Sequence, residues 1–363
     1  MDELRGANMN SASFFYQDKP IFGLDIGFSS IKLMQVDWLK KQPMVSGYGT
    51  ATFNPLIVKN GVIVDIESMS KTINQLFKTR LTGEITSRRV ALTIPASRAF
   101  NRPIKLPAKL TKKELDEAAK LEAERYIPLP LNQLYLDYII SGQTEKEIDL
   151  FIVAASRQIV DSYITLCKLL NLDIVAIETT IAAAARLLVE ADRSDVPTIL
   201  IDFGSRSVDI TIFDKKLIVT GTVGGGSDDF TARIAEKLNT TQQQAYDIKT
   251  NFGIDPGKHQ KEITEALTPI LQQLLKEVRR VIRYYEERFS ADRKIGQIVT
   301  MGGGANMPGL SEYMTDMLRL PVRMSDPWGY ISFANLQPPN IVEKSMYGTV
   351  AGSSLLNPSE AFE

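Results

Sequence analysis

Apolar and polar positions follow the same pattern around two short glycine turns, and these set the frame of the chain. Residues 22–37, FGLDIGFSSIKLMQVD, read as a buried strand, a tight turn at Gly27 and a returning strand with alternating apolar and polar positions. The pattern recurs at residues 199–214, ILIDFGSRSVDITIFD. With Asp25 laid on Asp202, Gly27 falls on Gly204, Ser30 on Ser207 and Asp37 on Asp214. Leu24/Ile201, Ile31/Val208 and Leu33/Ile210 are then apolar pairs, so the chain contains an internal duplication of a strand-turn-strand unit.

The remaining periodicities fill in around these hairpins. Residues 45–52 extend the first sheet, residues 65–81 form a helix with Ile66, Met69, Ile73, Leu76 and Phe77 on one face, and residues 90–95 form a strand. From Asn101 the texture changes. Thr111 and Glu114 make a capping box that opens a helix, and the IPLP of residues 127–130 stops it. Strands at 134–140 and 150–155 and an amphipathic helix at 159–170 complete a helix-strand-strand-helix block. A strand at 172–177 leads to Glu178, which opens a helix rich in alanine. After the second hairpin, residues 217–223 run into Gly224, Gly225 and Gly226, and a helix begins at Ser227. Helices at 242–252 and 270–289 follow, then a strand at 298–301 ending in Gly302, Gly303 and Gly304. The last helix, 345–356, carries Gly348 and Gly352 four apart, a smooth face suited to Ala182–Ala185. Strands with intervening helices imply an α/β fold with mixed, covered sheets.

Composition narrows the function classes. At 363 residues, against roughly 100–200 per domain, two or more domains are expected. Forty-two basic and forty-three acidic residues leave a net charge of −1, which gives nucleic acid no electrostatic footprint. One cysteine, Cys167, precludes an internal disulfide, and one histidine, His259, beside it precludes the usual zinc sets, so any metal should have oxygen ligands. No stretch reaches the roughly 20 apolar residues that span a bilayer. These features predict a cytoplasmic protein that meets a membrane only through partners, with a polar, mobile tail at residues 1–19.

A carboxylate at a strand end beside a glycine turn has a plain use. The turn N–H groups face an anion and the carboxylate holds the water shell of a cation. Two such hairpins face to face would clamp a phosphate group around a magnesium ion. The glycine turn at 224–226 feeds a helix N-terminus, which is an anion site by geometry and dipole.

Hairpin, small-residue helix, hairpin, two glycine turns and a small-residue helix, in this order, resemble the actin-like ATPase superfamily. Its phosphate 1, connect 1, phosphate 2, adenosine and connect 2 motifs match residues 23–32, 177–187, 200–209, 299–310 and 346–355. The block inserted before connect 1 resembles the 1C subdomain of FtsA. Residues 117–140 and 151–178 closely resemble the PilM family of type IV pilus assembly. The chain ends LLNPSEAFE, too short and acidic for the membrane helix of FtsA. The resemblance implies two duplicated ribonuclease-H-like lobes: subdomain 1A at 20–100, 173–197 and 339–357, 1C at 101–172, 2A at 198–226 and 297–338, and 2B at 227–296, with a tail at 358–363.

It also implies ATP and magnesium as cofactors. Asp25 and Asp202 would hold magnesium through water. Gly27, the Phe28 backbone, Ser29, Ser30, Gly204, Ser205 and Arg206 would surround the phosphates, Lys32 would neutralise their charge, and Gly224–Gly226 would close over them. Gly302, Gly303, Gly304 and Asn306 would face adenine and ribose, with Lys249, Glu277 and Arg280 on the adenosine side. Two departures stand out: Phe28 replaces a hydroxyl, and Tyr246 replaces the acid of the ribose-contacting segment. Glu178 is the connect 1 carboxylate that could orient water for hydrolysis, expected to be slow at most. As partner, the resemblance implies the N-terminal cytoplasmic peptide of PilN in a groove between 1A and 1C, and further pilus motor proteins. A turnover ATPase or phosphotransferase, and an FtsA-like filament former, are the alternative readings.

Overall fold

The structure, a computed structural model, describes residues 19–39, 42–192, 195–257, 259–289, 293–340 and 343–357. Most of the expected tail, with Phe14, Phe15 and Tyr16, and residues 358–363 lie outside these.

The first hairpin is β1 (Phe22–Ile26) and β2 (Ser30–Leu39), continued by β3 (Gln42–Thr52). A small hairpin of β4 (Val58–Lys59) and β5 (Val62–Ile63) precedes helix α1 (Ile66–Thr79), whose N-terminus is capped by the Asp65 side chain. After β6 (Leu81–Gly83) and β7 (Arg89–Ile94), the sheet is completed by β11 (Asp173–Thr179), in the order β11-β7-β1-β2-β3-β6. β1 is parallel to β7 and antiparallel to β2. All five β1 residues are buried, as in a central strand covered on both faces, and Asp25 is the one charged side chain among them.

The inserted block forms its own antiparallel sheet, β8 (Ala99–Pro107), β9 (Leu134–Gln143) and β10 (Glu147–Ser156), in the order β8-β10-β9. Helix α2 (Lys112–Tyr126) backs it, opened by the reciprocal Thr111–Glu114 capping box. Two expectations are corrected here. β8 was not foreseen, because its two prolines and its charges read as loop; an edge strand tolerates them. Helix α3 (Arg157–Leu169), grouped with the block from sequence, instead buries Ile159, Val160, Tyr163, Leu166 and Cys167 in the core beneath β1 and β7. The block is therefore strand-helix-strand-strand.

Helix α4 (Thr180–Asp192) leads to the second sheet. That sheet contains β12 (Thr198–Phe203), β13 (Ser207–Asp214), β14 (Lys216–Gly224), β15 (Gln297–Met301) and β16 (Val322–Met324), in the order β14-β13-β12-β15-β16. Helices α5 (Ser227–Leu238), α6 (Gln242–Asn251) and α7 (Gln260–Arg288) lie between β14 and β15, and α8 (Leu310–Leu318) precedes β16. α7 begins at Gln260 rather than Ile270 and runs through Pro269. Ile263 and Leu267 carry its apolar stripe into the core upstream of the proline, so burial overrides a local cost of about 3 kcal/mol.

Near the C-terminus, the expected single helix is a 3-10 turn (Lys344–Tyr347) followed by α9 (Gly348–Ser354). α9 packs closely on α4, and a side chain at Gly352 would collide with the Ala183 carbonyl. The two small-residue helices thus form the seam between the sheets, as their composition suggests.

Candidate functional site

The end of β1 brings Asp25 opposite Lys32 on β2 and Thr93 on β7. Thr93 Oγ1 donates to Asp25 Oδ1 at 2.7 Å, and Lys32 Nζ stands 4.0 Å from Asp25 Oδ2 while donating to Ser30 Oγ at 3.1 Å. The Gly27 N–H closes the turn by donating to the Ser30 carbonyl at 2.9 Å, and the Ser29 carbonyl accepts from Phe53 N–H.

In the second hairpin Asp202 stands opposite Asp209. Burial pushes the Asp202 carboxyl up to about 7, the charges of Asp209 and Asp25 push in the same direction, and Lys32 opposes them. The two hairpins face each other, the second turn's Arg206 lying over the first turn's Phe28. Asp209 itself is raised to about 6 by burial, against the effect of a 2.6 Å hydrogen bond from Thr222 Oγ1. Sequence reasoning missed Asp209 as a site residue. The signal was available: it occupies the place in the second copy that Lys32 occupies in the first.

Two side chains in the turns matter. Arg206 reaches across to the Phe28 ring, its guanidinium carbon 5.7 Å from the ring centroid, so the residue that replaces a hydroxyl bridges the turns instead. Ser205 Oγ is buried with no hydrogen-bond partner, an orphaned donor in the second turn.

The glycine turn at 224–226 clamps onto this loop. Gly225, Ser227 and Asp228 N–H donate to the carbonyls of Arg206, Gly204 and Ser205, at 3.3, 2.9 and 2.9 Å. Gly226 N–H donates to Asp229 Oδ2 at 3.0 Å. The expected anion site at the α5 N-terminus is therefore corrected, because its first N–H groups are already satisfied by loop carbonyls and an acid. Gly226 is required by crowding, since a Cβ there would lie 2.5 Å from the Gly204 oxygen, whereas Gly224 faces open space.

Lys249 is buried beneath the same turn. Its Nζ donates to the Ser227 carbonyl, Ser227 Oγ and Thr231 Oγ1 at 2.9, 2.7 and 2.8 Å. Burial pushes it down to about 8, partly opposed by Asp228. Gly302 has φ 85°, a conformation that favours glycine, and a side chain there would overlap Asp202. Gly304 packs on Phe203 and Ser227, while Gly303 has nothing nearer than Met346. Ser345 Oγ donates to Asn306 Oδ1 at 2.9 Å and to the Gly302 carbonyl at 3.0 Å, tying this glycine turn to the segment that precedes α9.

Three expected site residues lie apart from this centre in their bonding. Glu178 belongs to β11 rather than to the helix, and its carboxylate accepts two hydrogen bonds from Arg186 at 2.9 and 2.7 Å. Arg186 also donates to the Gly352 carbonyl, which locks the pair into the α4–α9 seam. Glu277 and Arg280 pair with each other on α7, and Arg280 is largely exposed. Among the described residues, no group of three or more His, Cys, Asp or Glu side chains could hold a metal ion.

Comparison with known proteins fits this geometry. The family model described as "Type IV pilus assembly protein PilM" matches residues 23–352. The solved PilM-PilN type IV pilus biogenesis complex superposes with a TM-score of 0.81 at 22% identity, covering 95% of this chain and 99% of that one. Cell division protein FtsA of Pseudomonas aeruginosa is 24% identical over 381 residues, 92% of this chain and 88% of its own length. MreB5 of Spiroplasma citri bound to ADP shares the fold at a TM-score of 0.50 and 13% identity, covering 95% and 98%. The doubled hairpins, their paired sheets and a family match across nearly the whole described chain lead to one assignment: the chain belongs to the type IV pilus assembly protein PilM family and has the actin-like ATPase fold.

Proposed function

We propose that this protein is a nucleotide-switched scaffold of pilus assembly that takes ATP with magnesium between its two halves. The observation that carries this reading is the meeting of Asp25, Asp202 and Asp209 with Lys32 where the hairpins face each other. The residues present fit the absent group. The charges of Asp209 and Asp25 both act against ionised Asp202, and a divalent cation relieves that repulsion. The unpartnered Ser205 hydroxyl and the open space over Gly224 suit phosphate and nucleoside.

In this reading Asp25 and Asp202 orient the water shell of the ion. Lys32, Ser205 and the turn backbones at Gly27–Ser30 and Gly204–Arg206 hold phosphate oxygens, and Gly302–Gly304 wall the adenosine side. Bound magnesium supplies charge neutralisation. Lys249 supports the Gly224–Gly226 turn from beneath. The bidentate Glu178–Arg186 pair favours a scaffold over a turnover enzyme, because a carboxylate held by a guanidinium is a poor base for water.

The solved PilM-PilN complex supports PilN as the partner of this chain. Its N-terminal peptide would lie in the groove between subdomains 1A and 1C and bring a cytoplasmic protein to the inner membrane. Among the described residues no helix is long and apolar enough to cross one. The open face of the small sheet offers Ile139, 61% exposed, and Tyr135, which is held by Asp161 and Arg157 of α3. Subdomain 1C is then best drawn from Ala99 to Ser156, with α3 left in 1A.

Calorimetric titration of the full chain with ATP and magnesium tests the nucleotide site. Saturable binding that Asp202→Ala weakens at least about tenfold supports it. Absence of binding to the folded wild type sinks it. For the groove, Ile139→Asp should weaken binding of the partner peptide without changing nucleotide affinity.

A further inference from the structure

The small sheet hangs from the first half of the molecule by covalent connection, yet it also touches the second. β8 packs against β14, the outer strand of the second sheet. There Lys216 Nζ donates to Asp149 Oδ2 of β10 at 2.8 Å. The backbone of Gly142 on β9 closes over the same ammonium, so that a Cβ at Gly142 would lie 3.3 Å from it. Lys105 of β8 stands 4.0 Å from Asp149 Oδ1. Lys105 itself donates to Glu147 Oε2 at 3.1 Å, so the hydrogen bond to the Asp149 carboxylate comes from the lysine of the opposite half.

This contact lies outside the α4–α9 seam, the packed helix pair that joins the sheets. A rotation of one half against the other about that seam must change any contact placed elsewhere between them. β14 carries the consequence further. It runs from Lys216 to Gly224, about 26 Å of strand, and delivers the glycine turn that clamps residues 204–206. The same strand, bulged at Ile218, therefore ends at the small sheet on one side and at the acidic centre on the other.

We propose that the Asp149–Lys216 pair is a latch that couples the small sheet to the cleft between the halves. With the latch made, the two acidic turns face each other and Arg206 reaches Phe28. An occupant of the small sheet and an occupant of the cleft then affect each other's binding through this contact. The identity of the cleft ligand rests on the proposed nucleotide site, whereas the mechanical coupling rests on the contacts alone.

The test uses the full chain and four variants: Asp149→Asn and Lys216→Met, which break the latch, Lys216→Arg, which conserves it, and Lys105→Met, which removes only the lysine of the same sheet. Hydrogen exchange of the ligand-free protein is read at residues 26–30 and 204–207. Asp149→Asn and Lys216→Met should raise exchange at both turns, while Lys216→Arg and Lys105→Met leave it unchanged. With ATP and magnesium, the two latch-breaking variants should bind about two- to fivefold more weakly, a difference that shrinks in high salt. Unchanged exchange at both turns in folded Asp149→Asn and Lys216→Met overturns the latch, as does an equal effect from Lys105→Met. Failure of the wild type to bind nucleotide would remove the proposed ligand, and the exchange measurement would still decide the coupling.

Discussion

Laid on one another, the two sheets agree over five strands, β6 being extra in the first, and disagree in charge. β11-β7-β1-β2-β3 and β16-β15-β12-β13-β14 share order, and in each the hairpin's first strand is antiparallel to its return and parallel to its other neighbour. Asp25 and Asp202 take the same place. Across the hairpin, however, Asp25 meets Lys32 and Asp202 meets Asp209; on the parallel neighbour Asp25 meets Thr93 and Asp202 meets Met301. The first acid has a hydroxyl donor and an ammonium nearby, whereas the second has another acid and a thioether. Duplication kept the backbone that brings two carboxylates together, and divergence gave one half the counter-charge and left the other in want of one.

The insertions differ as well. The first half takes a small sheet between β7 and β11, and the second takes three helices between β14 and β15. Each half thus has its own accessory surface, while the two sheets, their facing turns and the seam keep the internal symmetry.

The strongest way to break the comparison is at the seam both halves share. Gly352→Val should cost about 3 kcal/mol or more in thermal or denaturant unfolding, because even a Cβ meets the Ala183 backbone. Gly348→Ala, whose Cβ would have 3.6 Å of clearance from Met301, should cost under about 1 kcal/mol.

The charge asymmetry is tested next by Asp209→Asn. The folded-state value of Asp209, about 6, lies above its ordinary 3.8, so the folded protein binds more protons than the unfolded chain between these values. Its carboxylate therefore penalises folding increasingly as pH rises through that window. Asp209→Asn should stabilise the ligand-free protein by about 1–2 kcal/mol above pH 6 and by nothing below pH 4, read from unfolding curves at several pH values.

On the other side of the asymmetry, Lys32→Met should weaken binding of ATP with magnesium by about tenfold, as calorimetry would show, while the matching change Asp209→Asn leaves phosphate contacts in place. A small effect is expected from Glu178→Gln. It should lower stability by about 1 kcal/mol through its loosened pair with Arg186 and leave any ATP turnover at its wild-type rate. A large loss of turnover would restore Glu178 to a catalytic role.

Much of this was legible along the chain. The Thr111–Glu114 capping box, the two hairpins and the close approach of α4 and α9 each depend on residues whose local chemistry has few other uses. The misses share a different cause. β8 has a loop-like composition and is a strand because β10 pairs with it; α3 is amphipathic wherever it docks, and only packing decides that it docks beneath β1. Lys249 and Glu178 were read as ligand-facing from their positions in motifs, yet each is held by protein atoms. Burial makes an unpaired charge costly, and the nearest acceptors or donors were residues distant in sequence.

Sequence alone determined that the chain is built on a doubled acidic hairpin, because a buried strand ending in Asp-x-Gly leaves its mark in local periodicity and turn chemistry. It also carried the family resemblance, since motif order survives in one dimension. Only the tertiary structure decided which charges share a dielectric environment and which are satisfied by neighbours. It placed Asp209 beside Asp202, spent the α5 N–H groups on a loop, and set Asp149 of one half against Lys216 of the other. Electrostatic interaction depends on distance and desolvation, and neither quantity is written in the order of residues.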